Sequence, residues 1–226
     1  MDKIGFWDEK IIPWENARYF RKTANLPWLE KFASRASSSL KYRQSLAAEI
    51  LKSYAHDKTI LEAGCGSGSI LRALAHTQAR KLIGIDFSKV AIENALRPSD
   101  RFNFQKKIEF LTGDITKITL PNFDIFVALG LLDWLSPGEI RQLLTQIKGR
   151  MFLISFSEKR FSFQQFLHKL YVWISYGRKN NGYQPQYYSL EKITLLLKQH
   201  GFEKIKVTRD KRLSFSIILH NLTSAN

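Results

Sequence analysis

The sequence predicts an α/β domain built on a doubly wound, mostly parallel sheet that ends in an antiparallel hairpin. Three observations carry this reading. Between residues 59 and 155 short apolar runs alternate with segments of helical periodicity, the pattern of βαβ units. Glycines 64, 66 and 68 separate the first apolar run from the helix that follows it. The last two apolar runs are too close in sequence for a parallel crossover, so they pair as a hairpin and supply an antiparallel edge strand.

Taken in order, residues 1–38 are aromatic and irregular, with Trp7, Trp14, Tyr19, Phe20, Trp28 and Phe32 interrupted by Pro13 and Pro27. Ser39–Tyr54 places Leu40, Leu46, Ala47, Ile50, Leu51 and Tyr54 mostly at helical spacing. Strands are expected at Thr59–Ala63, Lys81–Phe87, Ile108–Leu111, Asp124–Leu129 and Met151–Ser155. Helices are expected at Ile70–Ala75, Ser88–Leu96 with Ser88 as N-cap, Pro137–Ile147 and Ser189–His200, the last stopped by Gly201. Lys204–Thr208 and Leu213–Leu219 alternate with period two around the charged turn Arg209–Arg212. One connection, Phe156–Tyr188, is too long for a passive loop. The chain therefore divides, within a single domain of residues 1–226, into an N-terminal helical segment (1–58), a core (59–155), an insert (156–188) and a terminal helix with hairpin (189–226).

Composition narrows the class. With 226 residues, 44% hydrophobic and 24% charged, the chain is globular and large enough to bury a core without disulfides or a metal. Its one cysteine, Cys65, leaves no internal disulfide and points to a reducing, cytoplasmic compartment. Residues 1–10 alternate charged and apolar side chains, unlike a signal peptide, and no run of 18 apolar residues predicts a spanning helix. The net charge of +15 is uneven: residues 139–226 hold 15 basic and 5 acidic side chains. Such a field favours acidic partners, namely nucleic acid, an anionic membrane surface or an acidic small molecule.

The sharpest signal is Ile60-Leu61-Glu62-Ala63-Gly64-Cys65-Gly66-Ser67-Gly68-Ser69. Glycines here permit a sharp turn and close approach of a ligand to the backbone, and the turn is expected to offer N–H groups at a helix N-terminus. A dinucleotide fingerprint would read G-x-G-x-x-G/A, whereas this turn reads G-x-G-x-G with Ser69 at the final position. Glu62 would repel a pyrophosphate and attract an ammonium group. These departures favour a cofactor with a cationic amino-acid end and no diphosphate. Asp86, at the end of the second strand, is placed to take both hydroxyls of a ribose. Asp114, after the third strand, can accept from an exocyclic adenine amine, with Ile115 and Phe87 packing on the ring.

At these residues the chain resembles the class I S-adenosylmethionine-dependent methyltransferases, over roughly Thr59 to Ser155. The resemblance implies a Rossmann-like sheet of seven strands with the last one antiparallel, and S-adenosyl-L-methionine as cofactor. It implies that Glu62, Gly64, Cys65, Gly66 and Gly68 hold the methionine part, Asp86 with Phe87 the ribose, and Asp114 with Ile115 the adenine. It also places Ala128, Leu129 and Gly130 under the sulfonium. Arg43 is either a partner of the methionine carboxylate, as in some members of that family, or part of a solvated helix face.

The acceptor has to be read from the remainder. Members acting on bases or amides often carry an Asn/Asp-Pro-Pro-aromatic turn after the fourth strand, where this chain reads Ala128-Leu129-Gly130-Leu131-Leu132. That apolar stretch is similar to the small-molecule branch, which includes quinone-ring and tetrapyrrole carboxyl methyltransferases. Two lids are available, residues 1–38 and the insert, which holds 10 of the 29 aromatic side chains. In the insert Phe163, Phe166, Leu167, Leu170, Tyr171 and Ile174 share one helical face while Gln164, Gln165, His168 and Lys169 fall elsewhere. That stripe reads as core packing, as a lid over an aromatic or lipid-like substrate, or as an interfacial helix at an anionic membrane. His168 and Asp133 are the candidates for a general base, and no metal is called for. The expected activity is O-methylation of a small apolar or aromatic acceptor. Methylation of RNA or protein and non-catalytic cofactor binding are the alternatives.

Overall fold

A computed structural model describes residues 5, 7, 8, 28–97, 107–160, 165 and 185–223, with side chains from residue 38 in the first long helix. Among these residues seven strands form one sheet: β1 (Thr59–Ala63), β2 (Lys81–Asp86), β3 (Ile108–Thr112), β4 (Ile125–Leu129), β5 (Met151–Ser157), β6 (Lys206–Thr208) and β7 (Ser216–His220). Their order is β3-β2-β1-β4-β5-β7-β6. The first five run parallel, and β7 runs antiparallel to both β5 and β6. The antiparallel strand is therefore one place in from the margin, which corrects the expectation of an antiparallel edge: β7 folds back between β5 and its own hairpin partner. β6 is left at the edge with three residues, with Lys206 and Val207 exposed, and a short lysine-bearing edge resists pairing with another chain.

The central strands read as continuous apolar runs because both of their faces are covered. β1 and β4 are buried almost throughout. One face packs Leu61, Ile83, Phe126, Phe152 and Ile154 against α4 (Pro137–Gln146) and α5 (Leu190–Gln199), which contribute Ile140, Leu143, Ile193 and Leu197. The other packs Ile60, Leu82, Val127 and Leu153 against α1 (Trp28–Lys52) and α2 (Ser69–Leu74), through Ala47, Leu51, Ile70 and Leu71. α3 (Lys89–Leu96) starts where expected, its N-cap Ser88 accepting from Ala91 N at 3.1 Å. Ser136 and Glu139 form a capping box at the start of α4.

α1 begins eleven residues before the start that periodicity predicts. Residues 28–38 are rich in good helix formers (Leu, Glu, Lys, Ala, Arg), and Pro27 immediately before them is compatible with a helix start. α1 is held to the C-terminal hairpin by a polar cluster in which the Tyr42 hydroxyl donates to Asp210 at 2.8 Å while the Arg212 guanidinium lies 4.0 Å over its ring. Among the described residues no helix is long and apolar enough to cross a membrane.

Gly84 on β2 decides how closely α2 and the turn after β1 approach the sheet. A Cβ there would lie 2.8 Å from both Leu71 and Phe110 and 2.9 Å from Cys65 Sγ. Gly84→Ala is expected to lower stability by about 1–3 kcal/mol, the usual cost of overpacking a core, read as a drop in Tm by thermal unfolding. An unchanged Tm would show that the neighbours relax freely.

Candidate functional site

In an open parallel sheet the crevice for a ligand lies beyond the carboxyl ends of the strands where their order reverses, here between β1 and β4. The turn 64–68 sits at that point, with Gly64, Gly66 and Gly68 at φ of +68°, +52° and +78°. A side chain would be strained at each, and a Cβ on Gly68 would fall 2.5 Å from the Phe110 ring. The backbone of the turn is tied to β2. Gly64 N and Cys65 N both donate to Ile85 O, Gly66 N donates to Asp86 Oδ2 at 2.9 Å, and Gly68 N returns to Cys65 O. The expectation that this turn presents these N–H groups to a ligand is thereby corrected, since all four are engaged within the fold. What the glycines provide is closeness: a Cβ on Gly64 would reach to 3.3 Å from Leu131, which lies directly above the turn.

The acids take different environments. Glu62 is 4% exposed near the end of β1. Asp86 is also buried; its Oδ2 accepts from Gly66 N and its Oδ1 from Ser88 N, both at 2.9 Å. Burial pushes its carboxyl up, those two hydrogen bonds oppose the rise, and the nearby Asp8 carboxylate adds to it. Phe87 beside it is half-buried. Asp114 follows β3 and folds onto its own turn, accepting from Thr116 N and Oγ1 and pairing with Lys117 at 3.2 Å. Burial raises its carboxyl, but Thr116 and Lys117 together hold it below the ordinary value. Ile115 is buried behind it. Cys65 is buried with Sγ 3.6 Å from Gly66 O, a packing position against Gly84.

On the other flank Ala128 is fully buried, Leu129 is half-buried, and Gly130 turns the chain at φ +80° while donating to Ser155 O. That conformation admits Arg43 from α1: a Cβ on Gly130 would stand 3.1 Å from both terminal guanidinium nitrogens. Arg43 is only 5% exposed, so the reading as a solvated helix face is overturned. Its Nε has no hydrogen-bond partner among the described residues. Asp133 attracts it from the short 3₁₀ turn Leu132–Trp134.

Asp133 itself stands differently from the candidate base expected at the reacting atoms. It is buried, with Oδ1 accepting from Ser157 N and Oδ2 from Ser157 Oγ, both at 2.8 Å. Its carbonyl accepts from Gln186 N, so Asp133 joins the exits of β4 and β5 to the far end of the insert. His168 and the apolar stripe 163–174 lie outside the described residues. Gln165 does not. It is buried, accepting from Arg160 N and donating to Glu158 O, each at 2.7 Å, and so fixes the near end of the insert to β5. Neither Ser157 nor Gln165 is singled out by sequence; the one signal for Gln165 is its place off the apolar stripe. A separate open cavity of about 420 Å³ lies on the β5–β7 side, bounded by Lys159, Arg160, Glu191 and Arg209 around Glu158, whose carboxylate already pairs with both arginines.

Comparison with known proteins finds similarity in sequence and in fold. Residues 60–151 match the family described as "Methyltransferase domain". The chain is 36% identical over 73 residues to the ribosomal protein L11 methyltransferase of Clostridium botulinum, covering 32% of this chain and 23% of that one. It is 32% identical over 95 residues to the carboxy-S-adenosyl-L-methionine synthase of Salmonella arizonae, covering 40% of this chain and 38% of that one. The chain thus spans well under half the length of these curated relatives. Among solved structures, magnesium protoporphyrin IX methyltransferase from Synechocystis with bound S-adenosylhomocysteine superposes with a TM-score of 0.70 over 96% of both chains at 16% identity. Human N-acetylserotonin methyltransferase in complex with S-adenosylmethionine gives 0.59 over 99% of this chain and 67% of that one at 17% identity. At these identities the structures establish the fold alone, a seven-stranded Rossmann-like sheet.

Burial dominates Asp133 and carries its pKa from 3.8 to about 6, against the hydrogen bonds from Ser157 and the charge of Arg43. The folded chain thus holds this proton more tightly than the unfolded one. The stabilisation is fully present below about pH 4 and is lost as the pH rises through 6. Buried Asp86 contributes with the same sign. Asp133→Asn is expected to reduce, without abolishing, the fall in Tm across that interval; an unchanged slope would assign the dependence elsewhere.

Proposed function

We propose, because residues 60–151 match a methyltransferase domain, that this protein transfers the methyl group of S-adenosyl-L-methionine to an oxygen of a small apolar or aromatic acceptor. The observation that carries the cofactor assignment is the pairing of the Asp86-tied glycine turn with a buried cation on the facing wall. Arg43 lies against Gly130 with one guanidinium nitrogen unpartnered, beside the place where Leu131 covers Gly64. A buried guanidinium calls for an anion within reach, and the cofactor's carboxylate supplies one. A dinucleotide would bring a pyrophosphate to a turn in which the N–H groups of Gly64, Cys65, Gly66 and Gly68 are already engaged.

In this reading the residues that hold the cofactor are those of the switch point. Asp86 accepts from the ribose hydroxyls with the lone pairs left by Gly66 and Ser88. Asp114 and Ile115 border the adenine, opposite Phe87. Glu62, Gly64, Cys65, Gly66 and Gly68 shape the methionine channel, with Arg43 at its carboxylate. When bound, the cofactor presents an electrophilic methyl group to a nucleophile held in line with the carbon–sulfur bond. The chain's part is to orient that nucleophile and keep water away. Leu129, Leu131 and Trp134 make the acceptor side apolar, and a carboxylate or phenolate oxygen held there needs no strong base. The tetrapyrrole and N-acetylserotonin methyltransferases that share the fold act on small molecules, which supports the same class of acceptor here.

Arg43→Met removes the charge and keeps the length of the side chain. It is expected to weaken binding of S-adenosylhomocysteine by about 1.5–3 kcal/mol, roughly ten- to a hundredfold in Kd by calorimetry, as for hydrogen bonds to charged groups. Unchanged affinity would place the carboxylate elsewhere. With methyl-labelled cofactor and cell extract, label is expected in the organic-extractable small-molecule fraction. Label confined to RNA or protein, with RNA binding that falls steeply with salt, would overturn the small-molecule acceptor.

A further inference from the structure

Two adjacent N-terminal residues reach opposite flanks of the crevice. The Trp7 ring meets Trp134 edge to face, centroids 4.8 Å apart at 83°. Ser88 Oγ donates to Asp8 Oδ1 at 2.6 Å. Trp134 follows β4, Ser88 follows β2, and β1 lies between those strands, so the contacts are about two strand spacings apart, roughly 10 Å. Residues 7 and 8 therefore bridge the exits of β2 and β4, the two strands that flank β1. Nothing in the local sequence requires this, because the contacts span 127 and 80 positions and belong to tertiary structure alone.

From this crossing we propose that Trp7 and Asp8 form a strap that closes the crevice over bound cofactor, Trp7 roofing the acceptor side against Trp134 and Asp8 latching the ribose side through Ser88. The proposal rests on the cofactor reading and adds a residence-time function to it. A molecule with an adenosine at Asp86 and an amino acid at Arg43 lies under this crossing and leaves only when the strap lifts. Asp8 stands close enough to Asp86 for the two negative charges to oppose each other, and both converge near Ser88. Ser88 serves both sides of this arrangement, its N–H on Asp86 and its hydroxyl on Asp8, while that hydroxyl also caps α3.

The test uses the full chain with S-adenosylhomocysteine, following dissociation by stopped flow. Trp7→Ala is expected to raise the dissociation rate about three- to tenfold, the range for losing one edge-on aromatic pair, and Asp8→Ala about ten- to a hundredfold, the range for losing one hydrogen bond to a charged group, each with a smaller change in association. Dissociation rates equal to those of the unaltered protein in both variants would overturn the strap. If the unaltered protein does not bind S-adenosylhomocysteine at all, the cofactor reading fails. The strap is then judged alone by hydrogen exchange of the ligand-free chain. Slow exchange at residues 5–8 that is lost in Trp134→Ala supports it, and fast exchange there in the unaltered protein overturns it.

Discussion

The site depends on how closely the turn after β1 lies against the end of β2. Gly64 and Cys65 share the carbonyl of Ile85, and Gly66 donates to the carboxylate of Asp86. This contact is sterically possible only because Gly84 leaves room for Cys65 Sγ and because the turn has no side chains at its three positive-φ positions. The same bond that fixes the turn fixes the acid, so the turn and Asp86 form as one unit. It also explains why a buried carboxylate is tolerable at Asp86: each oxygen has a backbone N–H, and these partly offset the loss of water.

Much of the sheet and of this wall was legible in the linear chain. Parallel strands covered on both faces read as uninterrupted apolar runs, as Ile125–Leu129 does, and glycines at 64, 66 and 68 announce a turn that other residues cannot make. Ser88 and Ser136 announce helix starts because a short side-chain oxygen is what an unpaired first turn needs. Long-range pairings were not legible. That β7 would insert between β5 and β6 is settled by which edge offers the apolar partner, and Ile217, Ile218 and Leu219 find it on β5. The start of α1 was hidden because periodicity reports packing, whereas residues 28–38 owe their helix to good helix formers after a proline.

Side-chain roles were harder still. Asp133 looked like a free acid after a strand and proves to be a strut, its oxygens taken by Ser157. Arg43 looked like one more charge on a basic helix and proves to be buried against Gly130. In both cases the deciding partner lies more than 20 residues away, and no local pattern marks it. The two are coupled in space. The Asp133 carboxylate attracts the buried Arg43 guanidinium, whose Nε has no hydrogen-bond partner among the described residues.

The central claim is that the wall made by the 64–68 turn, Asp86 and Arg43 recognises an adenosyl amino acid and not a dinucleotide. Titration calorimetry of the full chain against S-adenosylhomocysteine and, separately, against a nicotinamide dinucleotide measures this directly. The account predicts one-to-one saturable binding of the first and no heat from the second. Saturable binding of the dinucleotide with none of S-adenosylhomocysteine would contradict it.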